Sequence, residues 1–204
     1  MQLTTIPVGQ LQTNCYIVTD ETTKHCAILD PGDDSTQILA PIQSGGLIPV
    51  AVCLTHGHYD HTIAADDIVR AYSVPVYIHP ADATRDPRPN PYLYAADEHT
   101  QHYTEGGTVT VGNLILHVME TPGHSRGCVT LCTDTHLFTG DTLFRDDCGR
   151  TDLPGGDMQT MLHSLKRLGV IEGDRTVCPG HGPASTLERE RRFNHYLRQA
   201  IQSR

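Results

Sequence analysis

Residues 55–61 read Thr-His-Gly-His-Tyr-Asp-His, and no other stretch restricts the possible folds of this chain so tightly. Three imidazoles and a carboxylate within six positions bring borderline nitrogen donors and one hard oxygen together, a mixture that suits zinc and also accepts iron or manganese. The run before it, Val50-Ala51-Val52-Cys53-Leu54-Thr55, is apolar and partly β-branched. That texture predicts a buried strand delivering His56, His58, Asp60 and His61 into a loop at its C-terminal end, where α/β proteins usually keep their chemistry. With 13 histidines in 204 residues, the competing explanation is a surface tract that picks up metal without using it.

Three further stretches share one format, an apolar strand ending in a turn that carries a metal-capable side chain. They are Thr121-Pro122-Gly123-His124, Phe138-Thr139-Gly140-Asp141 and Cys178-Pro179-Gly180-His181. In each, a glycine precedes the His or Asp, which lets the backbone turn sharply and come close to a site. One such turn alone would be an ordinary loop; three in series after the first cluster read as a ligand set.

The intervening sequence predicts strands over 3–8, 13–19 and 26–29, then a helix that starts at an N-capping Ser35 and stops at Gly45-Gly46. A helix over 62–71, with Ile63, Ile68 and Val69 among its apolar positions, and a strand over 74–79 complete a β-α-β unit. Residues 83–104, rich in Pro, Asp, Asn, Tyr and His, are expected to form an irregular connection. Closely spaced strands follow over 108–111, 114–119, 127–132 and 136–139, then an amphipathic helix over 157–168 capped by Asp157, a strand over 176–178 and a charged helix over 187–201. Two layers of sheet, each backed by helices, fit this order better than one doubly wound sheet.

Composition bounds the function. At 38% hydrophobic and 19% charged residues, residues 1–204 fit one domain with a substantial core. No apolar run approaches the roughly 20 residues that cross a bilayer, and Met1-Gln2-Leu3-Thr4-Thr5 lacks the blocks of a secretory signal. A cytoplasmic protein without a membrane partner is expected. The seven cysteines form no Cys-x-x-Cys pair and are expected as reduced thiols in apolar strands. A formal net charge of -9 disfavours nucleic acid, whose binding depends on cationic contacts, while one or two bound divalent cations would still welcome a small anionic substrate.

In this ordered set of motifs the chain resembles the metallo-β-lactamase-fold hydrolase superfamily, specifically its glyoxalase II-like (hydroxyacylglutathione hydrolase-like) branch, from the N-terminal strands to Gly182. The resemblance implies an α/β fold, the four-layer αβ/βα sandwich, with two divalent metal ions between the sheet edges. His56, His58 and His124 would bind the first metal, Asp60, His61 and His181 the second, and Asp141 would bridge them. It also implies a dinuclear hydrolase of a thioester such as S-lactoylglutathione, with a metal-bridging hydroxide as nucleophile. Two cations about 3.5–4 Å apart lower the pKa of a shared water towards neutrality, and the chain has no Gly-x-Ser-x-Gly elbow to supply a serine instead.

The segment Gly149-Arg150-Thr151-Asp152-Leu153-Pro154-Gly155-Gly156-Asp157 is similar to the short bacterial members of that branch. Longer members carry a lysine and a tyrosine near this point for the glutathione thioester; here Arg150 and Asp152 take those places as expected substrate contacts. Arg150 suits bidentate contact with a substrate carboxylate, and the alternative is an internal Arg150–Asp152 ion pair that organises the loop. Tyr59 is a candidate pocket residue or oxyanion donor, with core packing as its alternative. Asp30 is expected to orient a ligand histidine. After Gly182 only one helix's worth of residues remains, whereas longer members add a helical domain with more glutathione contacts.

A second activity fits the same residues. Cys148-Gly149-Arg150-Thr151-Asp152 is almost identical to a segment of the persulfide dioxygenases, which hold one iron by two histidines and an aspartate, matching His56, His124 and Asp141. Hydrolysis of another ester or a lactone also stays open. β-Lactamase activity is disfavoured by the missing export signal, and a non-catalytic binding role by the completeness of the ligand set.

Overall fold

The computed structural model describes residues 1–86 and 90–203. Its first half runs β1 (Gln2–Val8), β2 (Thr13–Thr19), β3 (His25–Leu29), α1 (Ser35–Ser44), β4 (Ile48–Cys53), α2 (Tyr59–Thr62), α3 (Ala65–Tyr72) and β5 (Val76–Ile78). A 3-10 turn at Pro80–Asp82 leads to β6 (Ala83–Thr84), β7 (Tyr94–Ala95) and β8 (Thr100–His102). The second half runs β9 (Thr108–Val111), β10 (Leu114–Glu120), β11 (Val129–Cys132), β12 (His136–Gly140), β13 (Leu143–Phe144), β14 (Asp147–Cys148) and α4 (Met158–Gly169). It closes with β15 (Thr176–Pro179), β16 (Ser185–Thr186), α5 (Leu187–Phe193) and α6 (His195–Gln202).

Two six-stranded sheets result, in the orders β1-β2-β3-β4-β5-β8 and β16-β15-β12-β11-β10-β9. Side-chain alternation along the central strands generates the layers, because successive residues point to opposite faces. In β2 to β4, Cys15, Ile17, Cys26, Ile28 and Val52 pack with Ile38 and Ile42 of α1 and Ile68 of α3. Their neighbours Tyr16, Val18, Ala27, Leu29, Ala51 and Cys53 face the second sheet and meet Val109, Val111, Leu116, Val118, Leu131 and Phe138. On the far side, Cys132, Leu137 and Val177 pack under Met161, Leu165 and Leu168 of α4 and Leu197 of α6. The order helix, sheet, sheet, helix is the expected four-layer αβ/βα sandwich. Among the described residues, no helix is long and apolar enough to cross a membrane.

Local expectations fail where a backbone or carboxylate group finds a better partner outside its own element. Asp34, not Ser35, precedes α1; it is left-handed at φ 51°, and its carboxylate accepts from the Gly9 backbone N–H instead of capping the helix. The helix expected over 62–71 is two pieces, because the Ala64 N–H turns to the Pro31 carbonyl at 2.9 Å. Ile63 at that break is 53% exposed rather than part of the core. The terminal helix is likewise broken at Asn194, whose side chain accepts from Leu197 N–H and donates to the carbonyls of Phe144 and Asp147. The stretch 83–104 holds three short strands; its residues 87–89 lie outside those described.

All seven cysteines are free and buried. Burial pushes every one of their thiols up, Cys132 to about 11 and Cys26, Cys148 and Cys178 to about 12. Since the thiolate is the nucleophile, iodoacetamide at pH 8 is expected to leave the native chain unmodified while alkylating all seven thiols in guanidinium. Mass spectrometry of the two samples checks this.

Candidate metal centre

Strand β4 ends at Cys53, and from there Leu54 and Thr55 carry the chain to His56 and His58 and into α2 with Asp60 and His61. The second sheet contributes His124 after β10, Asp141 at the end of β12 and His181 after β15. All seven candidate ligands therefore leave the C-terminal ends of strands, and the two sheets meet there. His56, His58, His61, His124 and Asp141 are buried.

The donors form three overlapping groups: His56 with His58 and His124, His56 with His61 and Asp141, and Asp60 with His61 and His181; within each, the ligand atoms lie within 4.8 Å of one another. His58 Nδ1 is 2.8 Å from His124 Nε2, and His61 Nε2 is 3.3 Å from His181 Nε2. Asp141 stands between, with Oδ1 3.4 Å from His61 Nε2 and Oδ2 3.4 Å from His124 Nε2 and 3.6 Å from His181 Nε2. Asp60 Oδ2 is 3.3 Å from His181 Nε2. His56 Nε2, His58 Nε2 and Asp141 Oδ1 are buried and make no hydrogen bond. Buried polar atoms without partners are costly, and nitrogen and carboxylate donors converging in this way fit divalent cations.

Four of the five imidazoles are anchored through the nitrogen that faces away from the cluster. Nδ1 of His61 meets Asp30 Oδ2 at 3.0 Å, that of His124 the Arg150 carbonyl at 2.8 Å, that of His181 the Leu11 carbonyl at 3.1 Å, and that of His56 the Thr55 hydroxyl at 3.1 Å. An oxygen at Nδ1 fixes the ring and directs Nε2 inward. Asp30 also accepts from the Thr55 N–H and hydroxyl, both at 2.7 Å, so the expected orienting carboxylate holds two histidines, one of them through Thr55. Asp30→Ala is expected to weaken metal affinity by about 10- to 100-fold, measured by competition with a chromophoric chelator.

Charge is divided across the cluster. Burial, with the neighbouring imidazoles, holds His56 well below the usual histidine range and His58 down to about 4. Both stay neutral, as metal ligands must. Burial opposes protonation of His61 and His181 too, but carboxylates win there: Asp141 and Asp30 raise His61, and Asp60 and Asp141 raise His181.

The three glycines in the ligand turns serve different needs. Gly140 has φ 46° and Gly123 φ 143°, where a side chain would be strained. Gly180 has no such backbone; a Cβ there would lie 2.2 Å from Asp141 Oδ1, so its role is room for the carboxylate. The His181 turn is clamped from the other sheet by Asn14, whose amide donates to the carbonyls of Pro179 and Gly182, and by the Tyr16 hydroxyl on Pro179. Neither residue stands out in the sequence, where both read as ordinary strand positions.

A cleft of about 580 Å³ opens onto the cluster, walled by Leu11, Tyr59, Tyr92, Phe144, Arg150 and Leu153. Tyr59 is 49% exposed, which corrects its core-packing alternative, and Tyr92 from the irregular stretch stacks edge-on against His58 at 5.6 Å. Arg150 lines the cleft but makes a two-pronged ion pair with Asp152 at 2.7 and 2.8 Å; Asp152 is not among the lining residues.

A two-sheet sandwich with a His/Asp cluster at the strand ends defines a metallo-hydrolase architecture. The family model of the metallo-beta-lactamase superfamily matches residues 8–181, and the chain belongs to that superfamily. It is 35% identical to the "Probable metallo-hydrolase YqgX" of Bacillus subtilis (94% of this chain, 95% of the relative) and 30% identical to the "Hydroxyacylglutathione hydrolase GloC" of Haemophilus influenzae (97% and 98%). Similar solved structures include BLEG-1 B3 metallo-beta-lactamase (34% identity, TM-score 0.83, 96% and 99% covered) and TTHA1623 in a di-iron-bound form (36%, 0.81, 95% and 99%). ETHE1 from Myxococcus xanthus is also similar (26%, 0.82, 100% and 86%).

Proposed function

We propose that the chain is a dinuclear metal-dependent hydrolase of an acyl thioester of the S-lactoylglutathione kind, acting as one domain in the cytoplasm. The observation that carries the reading is the cluster of overlapping donor groups on an open cleft, with the Asp141 carboxylate within 3.4 to 3.6 Å of His61, His124 and His181. His56, His58 and His124 would hold one cation, Asp60, His61 and His181 the other, and Asp141 both. Zinc suits this donor set, and iron or manganese is accommodated. When bound, the metals supply an activated water and a Lewis acid for the scissile carbonyl.

The protein's own groups position the reaction. The Nδ1 anchors hold the imidazoles rigid, and Tyr59 at the rim presents its hydroxyl as a donor to the substrate. Arg150 exchanges Asp152 for a substrate carboxylate, a swap between equivalent bidentate partners. The relative named as a hydroxyacylglutathione hydrolase supports the thioester class.

The likeness to ETHE1 and the Cys148–Asp152 segment favour a second reading, a mononuclear iron persulfide dioxygenase. One preparation separates them: metal content is measured, then S-lactoylglutathione hydrolysis and oxygen uptake on glutathione persulfide. Two metals per chain with hydrolysis and no oxygen uptake are expected. A single iron with oxygen uptake would replace the hydrolase reading by the dioxygenase.

A further inference from the structure

Asp82 ends the 3-10 turn Pro80–Asp82 and is 1% exposed. Its carboxylate accepts three hydrogen bonds: Oδ2 from the Gly57 N–H at 3.0 Å and from the Ser125 hydroxyl, and Oδ1 from the Gly127 N–H at 2.7 Å. Gly57 lies between His56 and His58, and Ser125 to Gly127 directly follow His124. One buried carboxylate thus ties the two loops, from different sheets, that carry the three donors of one lobe.

Close approach makes the arrangement specific. A Cβ on Gly57 would lie 2.2 Å from the Asp82 carbonyl oxygen, and one on Gly127 2.7 Å from Asp82 Cγ. The other lobe is anchored elsewhere: Asp60 by the Thr13 hydroxyl at 3.3 Å, His61 by Asp30 and His181 by the Leu11 carbonyl. Asp82 touches none of these groups.

We infer that Asp82 is a positioning residue that sets the affinity of the His56/His58/His124 metal position separately from the Asp60/His61/His181 position, an inference resting on the dinuclear reading above. Outer groups that orient ligands are commonly worth about 10- to 100-fold in metal affinity. Asn cannot replace Asp82: with its oxygen towards Gly57 and Ser125, its amide NH2 faces the Gly127 N–H, donor against donor.

The test is stepwise cobalt titration of the full chain, following both the absorption spectrum and ion stoichiometry against a competing chelator. For Asp82→Asn, one of two affinities is expected to fall about 10- to 100-fold, with the other retained. Ser125→Ala removes one donor without exposing a buried charge and is expected to weaken the same position less. Glu190→Gln is the control, an equally buried carboxylate that serves Asp146, Ser185 and Asn194 instead; both affinities should stay at wild-type values. Equal loss at both positions, or no loss in either Asp82→Asn or Ser125→Ala while the wild type binds two ions, overturns the inference. A wild type that binds one ion overturns the dinuclear reading itself.

Discussion

Replacing Asp141 by Asn is expected to lower kcat/KM for thioester hydrolysis by about two to four orders of magnitude. Its carboxylate approaches His61, His124 and His181 at 3.4 to 3.6 Å, so it reaches both lobes of the cluster. Burial by itself would raise its pKa, but the surrounding imidazoles hold it well below the carboxylate range. Removing one partner from a buried charge cluster costs about 3–5 kcal/mol, and each 1.36 kcal/mol is tenfold in rate or affinity. Steady-state kinetics read the loss, and metal analysis of the same sample shows whether an ion left with the charge. Wild-type kinetics and metal content in the Asn variant would remove Asp141 from the centre.

The second large effect is on stability. The centre leaves His56 Nε2 and Asp141 Oδ1 buried and unpartnered, a cost that bound cations relieve only in the folded chain. A ligand present at about 100 times its Kd stabilises by about 2.7 kcal/mol per site, so two sites give roughly 5 kcal/mol. For a chain of this size each kcal/mol moves Tm by about 2–4 °C. Thermal melts with excess zinc are therefore expected to lie roughly 10–20 °C above melts in excess chelator, with activity lost and restored in parallel. Superimposable melts would mean that no cation binds tightly in the cluster.

The main features of the candidate site were legible because each rests on a short window. An apolar run before His-x-His-x-Asp-His reads as a strand feeding a loop, and a glycine before His124, Asp141 or His181 marks a turn at a strand end. Asp30 apart, which was expected to orient a histidine and meets His61 at 3.0 Å, the groups that hold the candidate ligands in place were not legible. Asn14 reaches across to Pro179, 165 positions away, and Asp82 sits in a turn whose sequence shows no reason for a buried charge. Arg150 and Asp152 were open between substrate contact and ion pair until their atoms were located at 2.7 and 2.8 Å.

What the amino-acid order determined alone was the alternation of the strands, the four turns that carry the candidate ligands and their chemical type, since periodicity, turn chemistry and donor hardness are properties of adjacent residues. What only the tertiary structure decided was which oxygen anchors each of His56, His61, His124 and His181, and where two expected helices break. Those outcomes depend on two sheets packing face to face, and hydrogen bonds between distant loops leave no trace in the short windows that encode each loop.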